Sequence, residues 1–288
     1  MKAVYRIQYA SNLFVHQNQS IEQAKKLLTL QQANSLALLG NIGFPANSKT
    51  QDFLHWCCSN WHSVFWVPGP TELAKDHQVN SFQNDYEHYK NLHILDHKQH
   101  TLSYAPIAIV GVPLWVPSRG KWNLQLNETE RYFLTNKSME IVGNWHKEDV
   151  EFIQEKVKSY HQDIYQTKII LLTHHLPSSH LLPPNANTTD HLLFAGNGEI
   201  LRMPNLLGCL SGAGGTTKNG NFGPKNLFCG VNAAFTGPDM VPNSLYKPDL
   251  VAEFPLDFSS PKPQGYGVAF QRFSFTFSPV PSVAVQLQ

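Results

Sequence analysis

The sequence predicts a layered α/β fold. Short runs rich in branched and aromatic residues recur along the chain, and segments with helical spacing lie between them. Several of the runs are apolar without alternation, as in Ile169-Ile170-Leu171-Leu172, which is the pattern of strands buried on both faces. The length of 288 residues with 42% hydrophobic content is ample for one large core.

In chain order, Val4 to Tyr9 reads as a strand, running into Ala10-Ser11-Asn12-Leu13-Phe14-Val15. Ile21 to Gln32 has helical spacing, with Ala24, Leu27, Leu28 and Gln31 on neighbouring turns. Ser35-Leu36-Ala37-Leu38-Leu39 is a second buried run and ends in Gly40-Asn41-Ile42-Gly43. A helix is predicted near Gln51 to Cys58, then a strand at Val64-Phe65-Trp66-Val67 that ends in Pro68-Gly69-Pro70-Thr71-Glu72. Leu92 to Leu95 and Ile107 to Trp115 are the next two strands, and Val116 to Gly143 is a long polar insertion. Lys147 to Tyr160 is an amphipathic helix with Val150, Ile153 and Val157 on one face. It leads into Ile169 to Thr173, where two histidines follow the strand and Pro177 stops it. A Pro- and Asn-rich loop runs to Asp190. Mixed β structure begins at Leu206, with turn signals at Lys218-Asn219-Gly220-Asn221. Near the end, Phe273-Ser274-Phe275-Thr276-Phe277 alternates as a half-buried strand does, either on the same sheet or as an edge offered to a partner.

Charge narrows the function classes. The formal net charge is +1 and 15% of residues are charged, so neither a basic nucleic-acid face nor a polybasic membrane anchor is indicated. No apolar run is long enough to span a bilayer. Met1 to Gln8 enters a strand with no signal-peptide core. Cys57 and Cys58 are adjacent, Cys209 and Cys229 stand apart, and no C-x-x-C spacing occurs, so the expectation is a reduced, cytoplasmic or otherwise intracellular protein, or one exported by a route without a sequence signal.

In layered α/β proteins, chemistry sits at the carboxyl ends of strands. Thr173-His174-His175-Leu176-Pro177 is therefore a candidate metal or acid-base loop. The ordered series of tips resembles the calcineurin-like metallophosphoesterase superfamily, in its compact single-domain bacterial and viral form. The likeness runs from Val4 to about Phe254 and includes Phe65-Trp66-Val67-Pro68-Gly69, Gly111-Val112-Pro113-Leu114-Trp115 and Pro248-Asp249-Leu250-Val251. It implies a four-layer α-β-β-α sandwich of two mixed sheets flanked by helices over residues 1–254, with 255–288 a Pro- and Phe-rich extension.

The same resemblance implies a site with two divalent metals such as manganese, iron or zinc, which clamp a phosphate and ionise water. This chain departs from that pattern at tip after tip. Where the family has D-x-H, this sequence has Asn12 and Phe14; where it has G-D, Asn41. Where it has G-N-H-E, Pro70 and Thr71 precede a retained Glu72. His174 matches a ligand, and Ala213 and Gly215 replace two histidines of G-H-x-H. Two dications bring four positive charges, and a close unit pair is worth about 4 kcal/mol at an effective dielectric of 20. Losing both aspartates removes several such attractions, and His174 alone falls short of the three protein ligands of even a catalytic zinc site.

No bound metal or other cofactor and no intact catalytic set is therefore expected. Asn12, Asn41, Thr71, Glu72, His174 and His175 are expected to line the former cleft, and Phe14 to fill vacated volume. Asn12 and Asn41 are placed to hydrogen-bond to each other or to loop amides across the old site, and His174 and His175 to serve as structural strand-tip residues donating to a neighbouring carbonyl. The Gly212-Ala213-Gly214-Gly215 run lacks the lysine and hydroxyl of a P-loop, and Ser178-Ser179-His180 lacks an orienting acid. The tryptophans read as packing, with Trp115 to Trp122 bordering the pocket. The expected function is a catalytically inactive scaffold or binding module with a protein partner, no nucleic acid and no membrane. The alternative is a phosphoesterase-derived hydrolase or phospho-ligand-binding protein with a rebuilt, metal-poor pocket.

Overall fold

In the computed structural model, residues 3–73, 80–117, 139–182, 198–213, 217–222, 227–236 and 241–256 are described. The first sheet grows from β1 (Val4–Ala10), which pairs in parallel with β2 (Ser35–Leu39), then β3 (Ser63–Val67), then β4 (Leu92–Ile94) at one edge. The second sheet holds β5 (Lys98–Thr101), β6 (Ile107–Val112), β7 (Lys168–Thr173), β8 (Leu206–Ser211), β9 (Thr217–Phe222) and β10 (Leu227–Asn232), in the order β5-β6-β7-β8-β10-β9. β6, β7, β8 and β10 run parallel, while β5 and β9 are antiparallel edges. A small hairpin of β11 (Phe235–Thr236) and β12 (Val241–Pro242) follows β10. Finally β13 (Val251–Pro255) returns antiparallel to β1, pairing Tyr5 with Phe254.

Side-chain alternation sorts each strand between two faces. The outer face of the first sheet, with Leu36, Leu38 and Trp66, packs on Phe53 and Leu54 of α2 (Ser48–Asn60). Ala24 of the short α1 (Ile21–Lys25) joins the same cluster. Val110, Val112 and Leu171, on the outer face of the second sheet, pack on Val150, Ile153 and Val157. Between the sheets, Ile7, Tyr9, Leu39, Phe65, Ile109 and Leu172 are fully buried or nearly so. The predicted four layers are therefore present.

Glycines let the sheets approach. A Cβ on Gly208 would lie 2.2 Å from the Phe254 ring, and one on Gly230 would lie 2.4 Å from the Tyr9 hydroxyl. Gly230→Ala is expected to destabilise by about 1–3 kcal/mol, as overpacking does. On a Tyr9→Phe background the loss should be smaller, because the crowded hydroxyl is gone. Equal losses in both backgrounds by urea unfolding would contradict the packing account.

Several elements differ from their sequence prediction. The helix expected to reach Gln32 ends at Lys25. The chain beyond it is drawn to the end of the domain instead: Thr29 N–H donates to Pro248 O (3.0 Å), and Gln8 donates to both Thr29 O and Pro248 O. α2 starts earlier than expected, where Asn47 caps it by accepting from Lys49 N–H (3.0 Å). β6 stops at Val112, because Pro113 follows and Leu114 turns to φ 53°.

After α3 (Asn80–Gln83), the long helix α4 (Met139–Gln162) begins inside the stretch read as polar insertion, since Val142 finds a core position. The turn expected at Lys218 to Asn221 is a strand, β9, registered Asn219 to Gly230. Pairing on one side only tolerates the Asn-Gly sequence there. The strand expected at Phe273 to Phe277 and the residues after Leu256 lie outside the described residues.

Candidate functional site

Parallel strands end together, so the sequence-predicted tips meet at one end of the sandwich. Asn12 N–H donates to Gly40 O (3.0 Å), joining the tips of β1 and β2. Gly212 N–H donates to His174 O (2.9 Å), joining those of β7 and β8. The Ser11 hydroxyl donates to Gly212 O (2.7 Å), linking one sheet to the other.

The backbone there is unusual. Asn12, Phe14 and Asn41 have φ of 51°, 43° and 55°, in the left-handed region. Asparagine visits it with little penalty, whereas phenylalanine does so only where surrounding structure insists. Two bonds hold the Phe14 turn: its N–H donates to Asn41 O (3.1 Å), and Val15 N–H donates to Ile42 O (2.7 Å). The Phe14 side chain is buried and meets Phe235 and His16 edge-on.

The two asparagines that replace aspartates are bonded to each other, with Asn41 Nδ2 donating to Asn12 Oδ1 (3.2 Å). Asn12 Nδ2 donates onward to Phe235 O (3.4 Å), and Asn41 Oδ1 accepts from Thr71 N–H (3.0 Å). Pro70 is buried in the same turn, and the Thr71 hydroxyl is buried without a hydrogen-bond partner among the described residues.

Glu72 has a different task. Its Oε1 accepts from the amides of Ile42 (2.6 Å) and Gly43 (3.1 Å), and its Oε2 from those of Asn41 (2.9 Å) and Gly69 (2.7 Å). One carboxylate thus clips the second and third tips together. Burial pushes its pKa up to about 7, against the downward pull of the four amides.

His174 is fully buried between Gly40 and Gly69; a Cβ on Gly40 would lie 2.3 Å from its Nδ1. Nδ1 is 2.9 Å from Leu39 O. A carbonyl only accepts, so Nδ1 carries the proton and Nε2 keeps its lone pair. That Nε2 has no hydrogen-bond partner among the described residues. Burial lowers the imidazole pKa to about 4, with the Leu39 carbonyl opposing. His175 likewise donates from Nδ1 to Pro113 O (3.2 Å), with its ring against Trp115 at 5.4 Å. Burial, reinforced by His174, puts its pKa well below the usual value.

Sequence reasoning missed Asp149. It is fully buried, and its Oδ2 accepts from Trp115 N–H (2.7 Å). Its Oδ1 lies 2.8 Å from His97 Nε2, off hydrogen-bond alignment, and Asp96 flanks the other ring nitrogen at 3.1 Å. Burial disfavours charge on His97, but the two carboxylates prevail and raise its pKa to about 10. The signal was present in the sequence, because Asp149 sits seven residues after Val142 and beside Val150, in the apolar stripe of α4.

Asn12, Asn41, Thr71, Glu72, His174 and His175 are thus brought together, each at most 9% exposed. Ala213 adjoins them without a donor side chain, while Gly215 and Trp122 lie outside the described residues. This donor set does not fit a pair of divalent ions. The asparagine oxygens and Glu72 are engaged in protein hydrogen bonds, and His174 Nε2 offers one lone pair. Among the described residues, no group of three or more His, Cys, Asp or Glu is gathered to hold a metal.

No family model matches the chain. An uncharacterized protein, L509, of Acanthamoeba polyphaga mimivirus is 25% identical over 160 residues, covering 49% of this chain. The chain spans 55% of the length of that relative. Among solved structures, the phosphopantetheinyl hydrolase of Mycobacterium tuberculosis aligns with a TM-score of 0.56 at 12% identity, over 81% of this chain and 90% of that one. The protein TT1561 of Thermus thermophilus aligns with a TM-score of 0.50 at 15% identity, over 80% and 90% respectively. Within the described residues, no helix is long and apolar enough to cross a membrane.

Proposed function

We propose that this chain, which has the metallophosphoesterase fold, does not hydrolyse phosphoesters by a two-metal route and works as a binding or scaffold module for a partner protein. The observation that carries the reading is the fate of the carboxylates. Both aspartate positions of the resemblance are asparagines bonded to each other, and Glu72 is saturated by four backbone amides. Among the described residues, the strand tips then hold no carboxylate besides the amide-saturated Glu72 to offset four positive charges, and water-activating chemistry needs those ions.

The test is metal content together with hydrolysis. Protein expressed with excess manganese is expected to carry far less than one ion per chain, and to hydrolyse bis-p-nitrophenyl phosphate at the background rate. A stoichiometric ion that disappears in His174→Ala would sink the reading.

A second reading is favoured by one observation: His174 Nε2 and Thr71 Oγ1 are both buried polar atoms with no hydrogen-bond partner among the described residues. They suit a small phospho-ligand that also carries a hydroxyl, in a rebuilt, metal-poor pocket: Thr71 Oγ1 can donate to a phosphate oxygen, and His174 Nε2 can accept from the hydroxyl. The same samples titrated with phosphate and nucleotides decide it, since a ligand satisfying those atoms would raise the melting temperature.

A further inference from the structure

At the opposite edge of the first sheet from β13, β4 has no strand beyond it among the described residues. Its inward bonds are set: Val64 N–H donates to Asn91 O and Leu95 N–H to Trp66 O, both at 2.8 Å. Alternate residues of a parallel strand bond to the same neighbour, so Leu92 and Ile94 turn their backbone groups away from β3. Leu92 N–H is taken by Tyr89 O (3.3 Å). Among the described residues, that leaves the Leu92 carbonyl and both backbone groups of Ile94 facing away from β3, at the spacing of a ladder.

A cavity of about 230 Å³ lies on one face of this edge, lined by Tyr86, Tyr89, Leu92 and Ile94, with Glu87 and Lys90 adding polar groups. Its aromatic walls are held in place. The Tyr86 hydroxyl donates to Pro45 O (2.7 Å), and the Tyr89 hydroxyl is 3.1 Å from His55 Nδ1. Such preorganisation lowers the entropic penalty of filling the space.

On the other face, the His93 and His100 rings are tilted against each other with centroids 4.0 Å apart, and each packs on Phe65. Both imidazoles are half-buried, and neither makes a hydrogen bond among the described residues. Successive residues of a strand added here would face the cavity and the histidines in turn.

We propose that the free edge of β4 docks an extended segment of a partner protein, which places an aromatic or large aliphatic side chain in the cavity and a polar side chain over the His93–His100 pair. Main-chain bonds to Leu92 and Ile94 supply affinity, and the two alternating subsites supply selectivity. An extended peptide is singled out because a compact small molecule would leave the outward-facing ladder groups unused. The inference deepens, and rests on, the reading of the chain as a binding module.

The test pans the 288-residue chain against a phage-displayed library of random peptides, then measures the selected peptides by fluorescence polarisation. The expected result is enrichment of a bulky apolar residue with a polar neighbour, and at least about tenfold weaker binding to Leu92→Glu, the loss of a buried apolar contact. Ile94 N–H should exchange more slowly with the peptide bound, and this readout in the wild-type chain decides the matter if the variant misfolds. No selected peptide, equal binding to a folded variant, or an unchanged Ile94 amide would each overturn the proposal. None of these failures touches the metal and hydrolysis result, whereas an active, metal-loaded chain that still captures peptides at β4 would overturn only the earlier reading.

Discussion

Glu72→Ala is expected to lose most of the protein's stability. The substitution leaves the amides of Asn41, Ile42, Gly43 and Gly69 without their acceptor in a buried turn. An unsatisfied buried donor costs about 1–3 kcal/mol, so four approach the ~5–15 kcal/mol that holds a whole domain together. Glu72→Gln should be intermediate. Its remaining oxygen serves one pair of amides, while its NH₂ points donor to donor at the other. Urea unfolding followed by far-UV circular dichroism reads the order wild type, Gln, Ala. An alanine variant within about 1 kcal/mol of wild type would show that the clip is dispensable. The result bears on function as well, because it separates a glutamate kept for architecture from one kept for chemistry.

The second large effect is an acid sensitivity centred on His174. Its folded pKa is about 4, against 6.5 for the free side chain, because burial disfavours the cation. Between those values the unfolded chain binds a proton that the folded chain refuses, so stability falls as pH falls from 6.5 through 4. Between pH 7 and 5 the loss from this one group is about 2 kcal/mol, reaching about 3 kcal/mol below pH 4. His174→Asn keeps a donor near Leu39 O and removes the titration. The variant's cavity penalty does not depend on pH, and the other titrating groups cancel in the difference from wild type, except His175, whose pKa His174 helps to lower and whose relief in the variant acts in the same direction. That difference, from urea midpoints, should therefore shrink on acidification. A difference that stays flat from pH 7 to 5 would mean that His174 is already charged, or solvated, in the folded protein.

Much of the fold was legible because strand burial leaves a local mark. Ile169 to Leu172 and Leu36 to Leu39 are apolar throughout because both faces of their sheets are covered. The series of altered tips was legible for a related reason: residue type alone says that Asn12 and Asn41 carry no charge and that Phe14 has no lone pair. Errors fell where a partner distant in the chain decided the outcome. Thr29 left a helical pattern to bond Pro248, and Asn219-Gly220 joined a ladder with β10 rather than turning. Asp149 was overlooked because an acid in an apolar stripe gains meaning only once Trp115 and His97 stand beside it.

By itself, then, the sequence determined the layered architecture, the strand tips where a site would form, and the neutral residues standing at most of them. Only the tertiary structure decided what the surviving polar groups do. It gave Glu72 to four amides, turned Nδ1 of His174 toward Leu39 and its lone pair inward, and set β4 at the edge of its sheet, among the described residues, beside a cavity. The physical reason is one of range. Burial patterns and side-chain charge are properties of neighbours along the chain, whereas a hydrogen bond, a tautomer or a shifted pKa depends on which groups folding brings within about 3 Å of each other.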